Sequence, residues 1–195
     1  TGTRAEEDER ERRQKVPEVF QALGLQDGSR VADVGAGEGF FTVRLALAVG
    51  GRGRVYAVNI KEKWATHLRQ RAKAAALDNI EVILGKEDDP KLGERSLDAV
   101  LIVDTYHEMT NDQAMLRQLW RALKPGGRLV LNDYVSQARR KEPRDRQVKE
   151  HEIAPELVEE ELRQAGFELL DRQDPFIPPR QGPVRQWLIV ARRPT

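Results

Sequence analysis

The chain has 195 residues, 39% hydrophobic and 33% charged, which suits one domain with a sizeable core and leaves little room for a second. A formal net charge of +1 supplies no global field to gather nucleic acid, and no apolar run is long enough to span a membrane. Cysteine is absent, which excludes disulfides, thiol catalysis and thiolate-bound metals.

Residues 1–15 interleave bases (Arg4, Arg10, Arg12, Arg13, Lys15) with acids (Glu6, Glu7, Asp8, Glu9, Glu11). This reads as a charged arm, a solvated helix or frayed segment, ahead of a single domain over 16–195. The opening TGTRAEEDERERRQK has no secretory pattern, so a cytoplasmic location is expected. Pro17 suits the first turn of a helix running to Leu23. Arg30–Val34 is a short β-rich run, Phe40–Val49 a helix and Arg54–Asn59 a second strand. Lys61–Leu77 carries Trp64, Leu68, Ala72 and Ala75 at helical spacing, and Asn79–Leu84 reads as a third strand. Leu97–Val103 is almost continuously apolar, as a strand covered on both faces should be. Asn111–Leu123 is a helix closed by Lys124-Pro125-Gly126-Gly127, and Arg128–Leu131 begins a fifth strand.

Strands alternating with helices predict parallel βαβ units with right-handed crossovers. The alternation stops after a helix over Pro155–Ala165, ended by Gly166. Two β-like runs follow, Phe167–Asp171 and Arg185–Ala191, separated by the Pro-rich DPFIPPRQGP. With no helix between them they should pair antiparallel. The expected fold is α/β: a Rossmann-like, doubly wound sheet of about seven strands, mostly parallel, with a C-terminal antiparallel hairpin.

The strongest chemical signal is VADVGAGEGFFTVRLA. A strand ends at Asp33, and Gly35, Gly37 and Gly39 follow at alternate positions before a helix begins. Missing side chains let the backbone approach a ligand, and the helix start offers unpaired N–H donors. A dinucleotide site reads G-x-G-x-x-G and receives a pyrophosphate. Here the spacing is G-x-G-x-G, and the preceding Asp33 would repel a pyrophosphate while attracting the ammonium end of an amino-acid-like ligand. That favours S-adenosylmethionine over NAD.

The ordered set VADVGAGEG, VYAVNIK, GKEDDP, LDAVLIVDTYHEM and LKPGGRLVLNDY, followed by a terminal strand pair, resembles the class I S-adenosylmethionine-dependent methyltransferases. The nearest subgroup is the small bacterial enzymes with a YH-type segment after the fourth strand. The resemblance implies that Asp33, Gly35, Ala36, Gly37 and Gly39 surround the methionine part of the cofactor, whose spent form is S-adenosyl-L-homocysteine. It implies that Asn59 faces the ribose and Ile60 packs on the adenine. Asp88, with Glu87, would accept from the adenine amino group, and Asp104 would sit near the methyl donor. The family usually has a carboxylate where this chain has Asn59. An amide offers one acceptor oxygen rather than two, which implies a weaker grip or help from Lys61 or Glu62.

Methyl transfer from a sulfonium needs little acid–base assistance beyond positioning, unless the acceptor starts protonated. The candidate catalytic segment is Asp104-Thr105-Tyr106-His107-Glu108, at the carboxyl end of a strand, where open α/β sheets bind ligands. His107 is suited to act as a base, with a capping or core-edge histidine as the alternative. Tyr106 either shapes the acceptor pocket or packs. Asp133 and Tyr134 face the same rim as substrate-side residues. Asp104 with Asp133 is similar to the carboxylate pair of magnesium-dependent catechol-type methyltransferases. That family places an amide where Tyr134 stands, so no metal is expected. Trp64, Trp120 and Trp187 read as core.

Residues 134–153 are basic and by position form a candidate substrate lid carrying His151, with a solvated loop as the alternative. The short basic stretch and the acids that follow argue against nucleic acid, and a small-molecule acceptor is expected. Two other functions remain open at this level: an NAD(P)-dependent Rossmann oxidoreductase, and a cofactor-binding module without turnover.

Overall fold

The computed structural model describes residues 3–178 and 184–195. The strands are β1 (Arg30–Val34), β2 (Arg54–Asn59), β3 (Ile80–Leu84), β4 (Leu97–Val103), β5 (Leu123–Ser136), β6 (Glu168–Ile177) and β7 (Val184–Arg192). The helices are α1 (Arg4–Arg13), α2 (Val16–Leu23), α3 (Phe40–Val49), α4 (Glu62–Ala74), α5 (Asp112–Ala122), α6 (Arg144–Lys149) and α7 (Pro155–Gln164), with a 3₁₀ turn over Tyr106–Glu108. No helix among the described residues is long and apolar enough to cross a membrane.

The strands form one seven-stranded sheet in the order β3-β2-β1-β4-β5-β7-β6. The first five are parallel; β7 runs antiparallel to both β5 and β6. The expected Rossmann-like sheet with a terminal antiparallel pair is therefore the fold. The order departs from the dinucleotide-binding arrangement 3-2-1-4-5-6, because β7 inserts between β5 and β6.

Pleating sends alternate residues to opposite faces. Ala32, Val34, Ile102, Leu129, Leu131, Trp187 and Ile189 join one core with Leu116, Leu119, Val158 and Leu162 of α5 and α7. Val31, Leu101, Val130, Leu188 and Val190 join a second core with Val19 and Leu23 of α2 and Phe40, Phe41 and Leu45 of α3. Truncating any of the fully buried leucines should cost about 2–5 kcal/mol.

Two boundaries move. The LKPGG segment, expected as a turn, lies within β5, because Leu123 already pairs with Leu97 of β4 before a register shift. The stretch DPFI, expected as a loop, continues β6 as far as Ile177, which pairs with Gln186. Residues 179–183 of that Pro-rich stretch lie outside the described residues. The charge run near the start forms α1, opened by a capping box in which Thr3 and Glu6 satisfy each other's backbone.

Candidate active site

The site begins where β1 ends. Asp33 is almost fully buried, and its Oδ2 accepts a 2.6 Å hydrogen bond from the Thr42 hydroxyl on α3. Burial pushes the Asp33 carboxyl up to about 6, and the Thr42 bonds only partly oppose this. The following bend turns back under β2: the amides of Gly35 and Ala36 both donate to the carbonyl of Val58, at 3.0 and 3.1 Å. Gly35 has φ +78°, and a Cβ there would meet Thr105 at 2.3 Å, so position and conformation both demand glycine.

Asn59, at the end of β2, explains its own identity. Its Oδ1 accepts from the Gly37 amide at 3.0 Å and its Nδ2 donates to the Gly37 carbonyl at 3.3 Å. A carboxylate has no proton for the second bond. Of the two neighbours expected to help, Lys61 lines the cavity, while Glu62 is engaged with Arg69 and Thr66 on the outer side of α4.

The bend opens on a cavity of about 470 Å³. Asp33, Gly35, Ala36, Gly37, Asn59, Ile60, Glu87 and Asp104 all lie on its wall. Ile60 keeps 49% of its surface exposed there, an apolar face of the kind an aromatic base covers. Trp64, read from the sequence as core, is instead half-buried on the same wall; Trp187 is core, and Trp120 is half-buried with its indole N–H on the Gly166 carbonyl. Two implied residues are not on the wall. Asp88 is exposed beside it, and Gly39 takes up the left-handed start of α3 against Leu68.

Arg10 and Gln14 also line the cavity, and the sequence reading missed both. The signal was their one-turn spacing, hidden among the charges of α1. The helix is held down by Glu7, which pairs with Arg44 and Arg71 at 2.9 Å each, and by Glu11 on Arg44. Gln14 Oε1 is buried without a hydrogen-bond partner among the described residues.

Asp104 follows β4 in the left-handed region, φ +48°, a strained conformation of the kind that clusters at functional sites. Burial, reinforced by the charge of Asp133, lifts its carboxyl to about 6, against the pull of His107 and Arg10. Beyond it lies a rim built by His107, Asp133, Tyr134 and His151. Fully buried Asp133 accepts from His107 Nδ1 at 2.8 Å, from the His107 amide at 3.1 Å and from the Tyr134 amide at 2.8 Å. Burial opposes charge on His107, but this bond and the nearby carboxylates outweigh it and raise the imidazole above its ordinary value. The Tyr134 ring lies 5.2 Å from that of His107, and burial, then Asp133, pushes its phenol up to about 12. Both oxygens of Asp133 are thus engaged by His107 and Tyr134.

Tyr106 turns the other way. It is fully buried in the core against α5 and α7, and its hydroxyl donates to Glu161 at 2.7 Å. It is a packing residue, because the 3₁₀ turn sends consecutive side chains in different directions. Three of the six basic residues of 134–153 are paired as well: Arg139 with Glu150, Arg140 with Glu156 and Asp174, and Arg144 with Glu161.

A family model described as a methyltransferase domain matches residues 25–166. A demethylmenaquinone methyltransferase of Listeria welshimeri is 29% identical over 116 residues, covering 60% of this chain and 49% of the relative. The chain thus spans about half the length of the curated relatives it matches. A SAM-dependent methyltransferase from Aquifex aeolicus superposes with a TM-score of 0.76 at 26% identity, over 90% of this chain and 87% of that one. The geranyl diphosphate C-methyltransferase of Streptomyces coelicolor, solved with Mg²⁺, geranyl diphosphate and S-adenosyl-L-homocysteine, gives a TM-score of 0.79 over 95% of this chain and 81% of that one. At 16% identity that likeness concerns the fold alone.

Proposed function

Because the chain belongs to the class I S-adenosylmethionine-dependent methyltransferases, we propose that it transfers a methyl group to a small-molecule acceptor held at the His107 rim. The observation that carries this reading is the side-chain-poor bend after Asp33, which opens on a cavity walled by Ile60 and Trp64. The cavity fits the cofactor by chemistry: a buried acid for an ammonium, bare backbone for close approach, and an apolar face for a base.

When bound, the cofactor supplies a methyl group already activated on a sulfonium. The chain's own residues then divide the remaining work. Asp33 attracts the ammonium end, Gly35, Ala36 and Gly37 allow contact, and Asn59 and Lys61 meet the ribose. Ile60 and Trp64 cover the base, and Glu87 accepts from its amino group. Arg10 and Gln14 close the mouth, so residues 1–15 act as an arm over a domain formed by 16–195. Asp104 lies between the donor and the acceptor rim. His107, oriented by Asp133, activates the acceptor, and residues 134–153 cover that side.

Thermal-shift and calorimetric titration of the purified chain with S-adenosylmethionine, S-adenosyl-L-homocysteine, NAD⁺ and NADP⁺ test the reading. Only the first two should raise the melting temperature. Stabilisation by a dinucleotide instead would replace it with the oxidoreductase reading. Cofactor binding with no labelled methyl transfer to any member of a broad acceptor panel would leave a binding module.

A further inference from the structure

The acceptor rim brings together three donors from two segments far apart in the chain. His107 and Glu108 come from the 3₁₀ turn after β4, and His151 from the turn after α6; their ligand atoms all lie within 4.8 Å of one another. His107 is committed through Nδ1 to buried Asp133. In the neutral ring donating through Nδ1, Nε2 carries the lone pair, the arrangement by which a carboxylate fixes tautomer and ring orientation in metal-bound histidines. The ring of His151 stands edge-on to it at 5.8 Å between centroids.

The backbone that carries His151 is held in place by its surroundings. Its backbone adopts φ +57°, a left-handed conformation uncommon for any residue but glycine. The turn is pinned from both sides. Buried Gln147 donates to the Glu142 carbonyl at 2.7 Å and accepts from the Ala154 amide at 2.6 Å. Glu152 accepts from the amide and hydroxyl of Ser136, at 2.8 and 2.7 Å, and the Ile153 amide donates to the Tyr134 carbonyl. A strained, clamped turn that ends with an imidazole beside a second, oriented imidazole and a carboxylate points to a ligand common to all three.

We propose that His107, Glu108 and His151 bind a divalent transition-metal ion. Two imidazoles and one carboxylate suit zinc, iron, cobalt or nickel rather than magnesium or calcium, which prefer all-oxygen sets. Metal–donor distances of about 2.0–2.2 Å require the three groups to draw together slightly, and exposed Glu108 and His151 have side chains free to rotate. Three protein ligands leave coordination positions open, as in catalytic rather than structural sites. Glu108 also lines the cofactor cavity, so the open positions face the methyl donor and take an oxygen-donor acceptor, such as a phenol or enol, as a further ligand. The acceptor part rests on the proposed methyl transfer; the metal site does not. It also departs from the metal-free expectation of the sequence.

The test is Co²⁺ titration of EDTA-stripped, tag-free full chain, followed by visible absorption and calorimetry, with Zn²⁺ as competitor. The expected result is one equivalent of Co²⁺ with a d–d spectrum that Zn²⁺ abolishes. His151→Ala and Glu108→Ala, both at exposed positions, should each weaken binding about ten-fold or more, and Asp133→Asn about 10–100-fold through His107. Absence of stoichiometric binding, or unchanged affinity in both exposed-position variants, overturns the site. S-adenosyl-L-homocysteine binding measured on the same stripped protein keeps the two readings apart: retained cofactor binding without Co²⁺ binding removes the metal alone.

Discussion

Asn59 clasps the backbone of Gly37 from both ends, accepting from its amide at 3.0 Å and donating to its carbonyl at 3.3 Å. The residue that departs from the usual acidic type at the ribose position thus braces the bend that meets the methionine part. Asn59→Asp exchanges a donor for a lone pair facing the Gly37 carbonyl. It should lower stability by about 1–2 kcal/mol and weaken S-adenosyl-L-homocysteine binding, read by thermal melting and calorimetry. Tighter binding would mean that the ribose contact outweighs the brace.

Gly35 is the position where the bend has no room. Gly35→Ala combines φ +78° with a Cβ 2.3 Å from Thr105, and should cost about 2–4 kcal/mol while abolishing cofactor binding. Adding Thr105→Gly, which removes all three clashing atoms, should recover the steric part but not the conformational part. Full recovery in the double variant would show that the left-handed backbone costs nothing there.

Asp33 carries a pH signature. Its folded value of about 6 lies above the ordinary 3.8, so between these values the native state holds a proton that the unfolded chain has released. Stability from this group is therefore greatest below about pH 4 and falls as pH rises through 6, by about 2–3 kcal/mol. Asp33→Asn removes that loss and should stabilise the ligand-free protein at pH 7.5. Cofactor affinity should move the opposite way: it drops in the variant, and in the wild type it drops as pH falls below about 6. A denaturant series across pH 4–8, paired with calorimetry, checks both signs.

Gln14 buries an acceptor with no partner among the described residues. Such a group costs about 1–3 kcal/mol, so Gln14→Leu should raise the ligand-free melting temperature while weakening cofactor binding. Arg44→Ala with Arg71→Ala, which together remove the partners of Glu7 and Glu11, should weaken binding through release of α1 and expose residues near the start to protease. Cofactor affinity unchanged in both variants would remove α1 from the site.

What the sequence determined by itself is the part written in short-range periodicity. Apolar spacing marked β1 to β4 and α2 to α5, the glycine spacing after Asp33 marked the bend, and a missing helix marked the terminal strand pair. Each follows from residues a few positions apart, where sterics and hydrogen bonding act locally. Tertiary packing decided the rest. LKPGG became strand because β4 offered it partners, and Tyr106 turned into the core because Glu161 and the α5–α7 layer accepted it. Arg10 and Gln14 reached the cavity because Glu7 docks α1 on Arg44 and Arg71, and His151 met His107 because Gln147 and Glu152 pin a distant turn to β5. Walls assembled from remote segments depend on how layers stack, and no local pattern in the chain encodes that.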